Sequence, residues 1–247
     1  MKLTHGLAAL VLLASASAAH AELTGTVTAT TDYDFRGITQ SAKGPALQGS
    51  IDYAHDSGFY AGAWASNVDF DDCCDESVEV DYYAGFAGGE TLTYDVGLVY
   101  YTYPGAEYEP GGKKLNYQEL YGALGYKWVE GKIWYSPDYG NADQSAMYYE
   151  ANASFELPAN FGLEAHVGYS DGDYWSDSEY TDWSVGVTYT LGHFDLALKW
   201  IDGSDLEDLD DFCKDVPGDC SGLDKDAFST DAKAVFSVST TFPWSDE

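Results

Sequence analysis

The chain has 247 residues, with 42 Asp and Glu against 11 Lys and Arg, a formal charge of −31. So much acid repels phosphate and excludes nucleic acid as a partner. After residue 21 no run of 18 apolar residues occurs, which excludes a helix that spans a bilayer.

In chain order, the first element is MKLTHGLAALVLLASASAAHA. Lys2, an apolar run from Leu7 to Ala19 and the Ala19-His20-Ala21 site form the three parts of a secretory signal peptide. A cleaved signal is expected over 1–21 and one domain over 22–247, since no linker composition divides the remainder. From Leu23 to Arg36 apolar and polar residues alternate with a period of two, which predicts a long strand. Further strands are expected over Pro45–Asp56, Phe59–Phe70, Val78–Ala87, Leu92–Tyr103, Leu115–Trp128, Lys132–Ser136, Met147–Leu157, Leu163–Tyr169, Thr181–Leu191, Phe194–Ile201 and Ser229–Phe242.

The connections fall into two classes. HDSG, GGE, VEG, PANFG and LGH are short, whereas 39–44, 71–77, 104–114, 137–145, 171–180 and 202–228 are longer and polar. This predicts an all-β fold: a single antiparallel up-and-down transmembrane β-barrel of about 12 strands, with short periplasmic turns and longer extracellular loops. A backbone in lipid must satisfy its own polar groups, so the sheet must close. A soluble sandwich gives similar alternation, but its strands are typically five or six residues. Aromatics expected near strand ends, outside the barrel, are Tyr33, Tyr53, Tyr60, Tyr103, Trp128, Tyr135, Tyr169 and Trp200.

The stretch TTDYDFRGITQ, followed by PALQGSIDYAHDSGFYAGAWASNVDF, resembles the opening of the TorF-type porin family of proteobacterial outer membranes. The resemblance implies an outer-membrane barrel and a channel, and it brings no catalytic residues. Outer-membrane lipid and lipopolysaccharide, small hydrophilic solutes and the barrel-insertion machinery are then the expected partners, with the cell outer membrane as the location. The ending TTFPWSDE departs from the usual terminal aromatic, for which Phe242 is the candidate.

Arg36 is the sole arginine of the chain. On a continuing strand Asp32, Asp34 and Arg36 share one face, with Tyr33 and Phe35 outward. A guanidinium grips a carboxylate with two parallel hydrogen bonds, which an ammonium cannot do. Arg36 is therefore expected either to organise carboxylates at a constriction or to form a plain structural ion pair. The other lumen candidates are Asp52, Glu79, Asp81, Glu119, Glu150, Glu164 and His166. Carboxylates outnumber the bases Arg36, Lys127, Lys132, Lys199 and Lys233, which predicts a weak cation preference. Inward Tyr83, Tyr101, Tyr121 and Trp134 are expected to narrow the pore.

The four cysteines, Cys73, Cys74, Cys213 and Cys220, are disulfide candidates in an exported chain. A Cys213–Cys220 bridge and a double bridge from Cys73 and Cys74 to the other two both remain open. No histidine lies near them, which argues against zinc. The stretch DGSDLEDLDDF offers hard oxygens suited to divalent cations such as calcium, without EF-hand spacing; a solvated loop is the plainer reading. No cofactor and no enzymatic centre is expected, since His55 and His193 fall at turns and His166 stands beside Glu164. The competing function is a structural or adhesive barrel with a plugged lumen, acting through its long acidic loops.

Overall fold

Because successive side chains of a strand point to opposite faces, the alternation sorts each strand into an apolar and a polar side. The computed structural model describes residues 21–70, 77–105, 114–176, 178–204 and 226–244. Its strands are β1 (Glu22–Thr30), β2 (Asp34–Phe35), β3 (Ile38–Thr39), β4 (Ala46–Ala54), β5 (Phe59–Asn67), β6 (Val78–Gly88), β7 (Leu92–Thr102), β8 (Tyr117–Tyr126), β9 (Val129–Ser136), β10 (Ala146–Leu157), β11 (Phe161–Asp171), β12 (Tyr180–Leu191), β13 (Phe194–Ser204) and β14 (Lys233–Phe242).

Twelve of them, β1 and β4 through β14, form one closed antiparallel barrel. The last strand ends at Phe242 and closes on the first, with Gly25 opposite Phe242 and Thr30 opposite Ser237. The other edge of β1 pairs with β4 from Glu22↔Ala54 to Thr30↔Ala46. No edge is left unpaired, which is how a sheet satisfies its backbone without water.

The two loop classes separate to opposite ends. Residues 55–58, 89–91, 127–128, 158–160 and 192–193 turn at one end, and both ends of the described chain lie there. The strand ends joined by the longer connections, Thr30 and Ala46, Asn67 and Val78, Thr102 and Tyr117, Ser136 and Ala146, Asp171 and Tyr180, and Ser204 and Lys233, lie at the other. One expected turn moves: VEG lies within β9, and the chain reverses at Lys127-Trp128, where Tyr126 pairs with Val129. Lys127 takes the left-handed φ of 56° that such a two-residue reversal needs.

The apolar face is the outer one. Leu23, Leu47, Ile51, Leu92, Leu124 and Leu198 are each more than half exposed. Tyr53, Trp128, Tyr135, Tyr169 and Trp200 face outward with them, as expected. Tyr33, Tyr60 and Tyr103 do not; all three are buried inside. Tyr60 turns inward on β5 and lies over Gly85 of β6, where a Cβ would collide with its hydroxyl. Tyr83 and Tyr121 likewise lie flat over Gly62 and Gly97 of the neighbouring strands, against the wall rather than across the lumen.

The larger correction is at the first strand. The wall strand stops at Thr30, and the alternation that continues to Arg36 belongs to a separate hairpin, β2–β3, that leaves the wall and enters the barrel. Its turn is Arg36-Gly37, with φ of 53° and 84°. Positive φ at both central residues is the geometry of the tight hairpin turn whose twist suits strands. Asp32, Asp34 and Arg36 therefore do not share a wall face, and Tyr33 and Phe35 do not point outward. Tyr33 packs on Trp64 with ring centroids 5.3 Å apart, and Phe35 packs on Tyr101 at 6.0 Å.

Candidate constriction inside the barrel

The strap formed by residues 31–45 is rooted between β1 and β4, and its tip reaches the far wall. Arg36 donates from Nη1 to Glu119 Oε1 at 3.0 Å and from Nη2 to Glu119 Oε2 at 2.7 Å. Glu119 stands on β8. The guanidinium also lies 4.2 Å from the ring centre of Tyr148 on β10, 5.4 Å from Trp134 on β9 and 4.6 Å from Phe35 beside it. In the strand order of the barrel, β9 lies diametrically across from β1. Gly37 seats on β12, where a Cβ would come 2.8 Å from Asp182 Cβ. Only glycine gives both this approach and its φ without strain.

The root is fixed by charge. Lys233 Nζ, at the start of β14, lies 3.2 Å from Asp32 Oδ2 and 2.8 Å from Asp34 Oδ2. Asp32 Oδ1 accepts from the hydroxyls of Thr39 at 2.5 Å and Ser41 at 3.1 Å. Backbone bonds tie the return limb to its neighbours: Thr39 N to Ser229 O at 3.0 Å and Asp69 N to Gln40 O at 2.9 Å. Aromatic packing fills the space between strap and wall on the side of β5 to β8, through Tyr101 stacked on Tyr117 at 4.5 Å and Phe70 on Tyr103 at 5.7 Å.

The sequence candidates thus fall into distinct groups. Asp32, Asp34, Arg36 and Glu119 meet at the strap. Glu150 accepts from Trp134 Nε1 at 2.7 Å and from Asn152 Nδ2 at 3.0 Å. His166 Nε2 lies 2.8 Å from Asp182 Oδ1 and 2.9 Å from the Tyr148 hydroxyl, and Nδ1 lies 2.7 Å from Asn152 Oδ1 and 3.5 Å from Glu150 Oε2, whereas Glu164 pairs elsewhere. Glu164 pairs with Lys199 at 2.8 Å. Asp52 lies toward the turn end, accepting from Ser50 at 2.6 Å and from the Tyr83 hydroxyl. Glu79 and Asp81 are buried on β6, beside the strap. Lys127 sits in a turn, away from the lumen bases. Cys73, Cys74, Cys213, Cys220 and the DGSDLEDLDDF loop beyond Ser204 lie outside the described residues.

Tyr148 and Gly37 were not legible as site residues, whereas Tyr101, expected to point inward, does so and donates to Glu119 at 3.0 Å. The available signal was Gly37 inside an alternating run, since an isolated glycine in a strand pattern marks a break or a close backbone approach. Among the described residues no three of His, Cys, Asp and Glu converge as metal ligands.

At the loop end, Lys43 Nζ bridges Asp226 at 3.0 Å and Asp231 at 2.7 Å. The hydrogen bond from Lys43 holds the Asp231 carboxyl below its ordinary range, and the same bond raises Lys43. Burial raises the hydroxyls of Tyr139 and Tyr174, whose rings meet at 4.9 Å under these loops.

The described residues thus form a closed barrel with a charged interior crossed by a strap. The model of one bacterial family of unknown function matches residues 14–242. The chain belongs to that family, Gcw_chp. No curated protein matches it. Among solved structures, a KdgM porin is similar over 90% of this chain and 99% of its own, with a TM-score of 0.52 and 7% identity. A KdgM porin in complex with disordered oligogalacturonate is similar over 91% and 100%, with a TM-score of 0.53 and 7% identity. At that identity the likeness is one of fold: this Gcw_chp chain is built as a porin-like twelve-strand barrel.

Proposed function

We propose that this Gcw_chp protein is an outer-membrane, porin-like channel for small hydrophilic solutes, narrowed by the strap at Arg36. The observation that carries the reading is the combination of an apolar outer face with a charged inner one in a closed barrel. Such a wall is stable only with lipid outside and water inside. On this reading residues 1–21 are the secretory signal and 22–247 the barrel. The short turns then face the periplasm and the long loops the exterior, with lipopolysaccharide around them. The resemblance to TorF-type porins and the barrel fold of the KdgM porins agree with it.

Ion preference follows from the lining. Arg36 is neutralised by Glu119, and Lys199 by Glu164, while Lys132 stands among Asp95, Glu130 and Glu150, and Asp52 adds a further carboxylate toward the turn end. The net lining is acidic and favours cations. A second reading rests on a separate observation: at the level of the strap, Thr28, Gln48, Ser66, Asp81, Tyr101, Glu119, Lys132, Tyr148, Ser170, Asp182, Ile201 and Val235 are all buried, one from each strand of the barrel. The strap then closes the lumen, and the protein acts through its loops.

Conductance of the refolded protein in a planar bilayer under a salt gradient separates the two. Discrete steps with a cation-leaning reversal potential support the channel. A folded barrel with no steps favours the plug, and an anion-leaning reversal refutes the acidic-lining argument.

A further inference from the structure

The buried acids of the strap region are nearly all matched to a base. Glu119 has Arg36, Asp32 and Asp34 share Lys233, and Asp182 has His166. Glu79 and Asp81 are the exception. They stand two residues apart on β6, on its lumen face, at 2% and 7% exposure, and no basic side chain among the described residues pairs with either. The Glu79 carboxylate has the hydroxyls of Tyr103, donating to Oε1 at 2.9 Å, and Tyr33 as its donors and no base, and Asp81 Oδ1 has no hydrogen-bond partner among the described residues.

A further oxygen is left over beside them. Gln48 on β4 is 4% exposed, and its amide Oε1 has no partner. The register places Gln48 opposite Ser66, and Ser66 opposite Glu79, in one lumen-facing row across β4, β5 and β6. Gln48, Glu79 and Asp81 thus place incompletely satisfied oxygens within three neighbouring strands, roofed by the strap through the ring and hydroxyl of Tyr33. The remaining charged neighbour, Glu119 on β8, adds repulsion rather than relief. A buried charge is tolerated only when it is paired, coordinated to a cation or neutralised.

We infer that Glu79, Asp81 and the Gln48 amide form a binding site for one hard divalent cation that holds the strap against the β4–β6 wall. Two carboxylates match its charge, and oxygen donors of mixed carboxylate and amide type are what calcium takes, with water completing the shell. The site is independent of whether the barrel conducts.

The test uses the full-length barrel refolded in detergent, freed of metal with a chelator, at neutral pH. Calcium chloride is titrated while thermal unfolding is followed, with magnesium chloride and sodium chloride as controls. At about 100 times Kd, wild type is expected to gain roughly 5–10 °C. Glu79→Gln/Asp81→Asn is expected to gain nothing and to start from a higher midpoint than metal-free wild type. If that variant does not fold, Gln48→Leu, which leaves both carboxylates, should raise the calcium midpoint on the order of tenfold.

Equal gains in wild type and variant overturn the proposal, because the ion then binds elsewhere, in the acidic loop for example. No calcium effect, with acidification alone stabilising wild type, also overturns it. Protons would then neutralise the pair, which faces Tyr33, Tyr103 and Glu119. No response to either likewise overturns it.

Discussion

Replacing Arg36 by alanine removes the tip contact of the strap and leaves Glu119 inside a wall where it is 1% exposed. The lost pair comprises two charge-assisted hydrogen bonds of 3.0 and 2.7 Å and the packing of the guanidinium on Tyr148 and Phe35. Stripping one partner from a buried pair costs about 3–5 kcal/mol. The Tyr101 hydroxyl still donates to Glu119 at 3.0 Å, and water enters the space left behind, so about 3 kcal/mol is a fair figure here. None of it falls on the barrel ladder. It falls on the strap, and 3 kcal/mol shifts its seated-to-displaced ratio by about 100-fold. Arg36→Lys keeps the charge but loses the fork and the flat packing, for about 1–2 kcal/mol and a shift on the order of tenfold. Single-channel recording reads this as larger or more frequent openings, graded from wild type through Arg36→Lys to Arg36→Ala. Glu119→Gln should act in the same direction, and the double variant should cost less than the two singles combined. Wild-type conductance, ion preference and dwell times in both Arg36 variants would refute the strap argument and leave a static tie.

Gly37→Ala places a Cβ 2.8 Å from Asp182 Cβ at a φ of 84°, so it should unseat the tip at a cost of about 1–2 kcal/mol; the same recording, compared with Arg36→Lys, checks it. Leu98→Arg on the outer face of β7 should cost about 2–4 kcal/mol in refolding titrations into lipid vesicles, since that face meets hydrocarbon, whereas a water-facing site would cost next to nothing. Lys43→Ala should cost less than about 1 kcal/mol, because its carboxylate partners are more than half exposed. Its pH dependence has two edges. Asp231, lowered by Lys43, contributes above its unfolded pKa and loses that contribution as pH falls through its lower folded value; Lys43, raised by Asp231, contributes below its unfolded pKa and loses it as pH rises through its higher folded value. Wild type and Lys43→Ala should therefore differ by a constant amount across the neutral range, and thermal melts that converge at neutral pH would contradict this.

Much of the fold was legible because a barrel wall states its two environments residue by residue. Leu47, Ile51 and Leu198 alternate with polar neighbours along their strands, and that repeat by itself determined which side of each strand is apolar, the strand number and the sorting of short turns from long loops. Inward Glu119, Glu150 and Glu164 followed from the same period. The strap did not, because a hairpin folded inside the barrel carries the same alternation as a strand in its wall. In TTDYDFRGITQ nothing in the period marks Thr30 as the end of the wall, and Tyr33 and Phe35 look like lipid-facing residues until Trp64 and Tyr101 are placed beside them. Pairings across the lumen were equally hidden. Arg36 and Glu119 are separated by 83 positions, and their meeting depends on barrel closure and register, which bring β8 to the far wall beside β9, across from the root of the strap. The sequence alone determined what each strand shows to its two sides; which charges face each other across the interior was decided only when the sheet closed, because that distance is set by the circumference of the barrel and not by any local repeat.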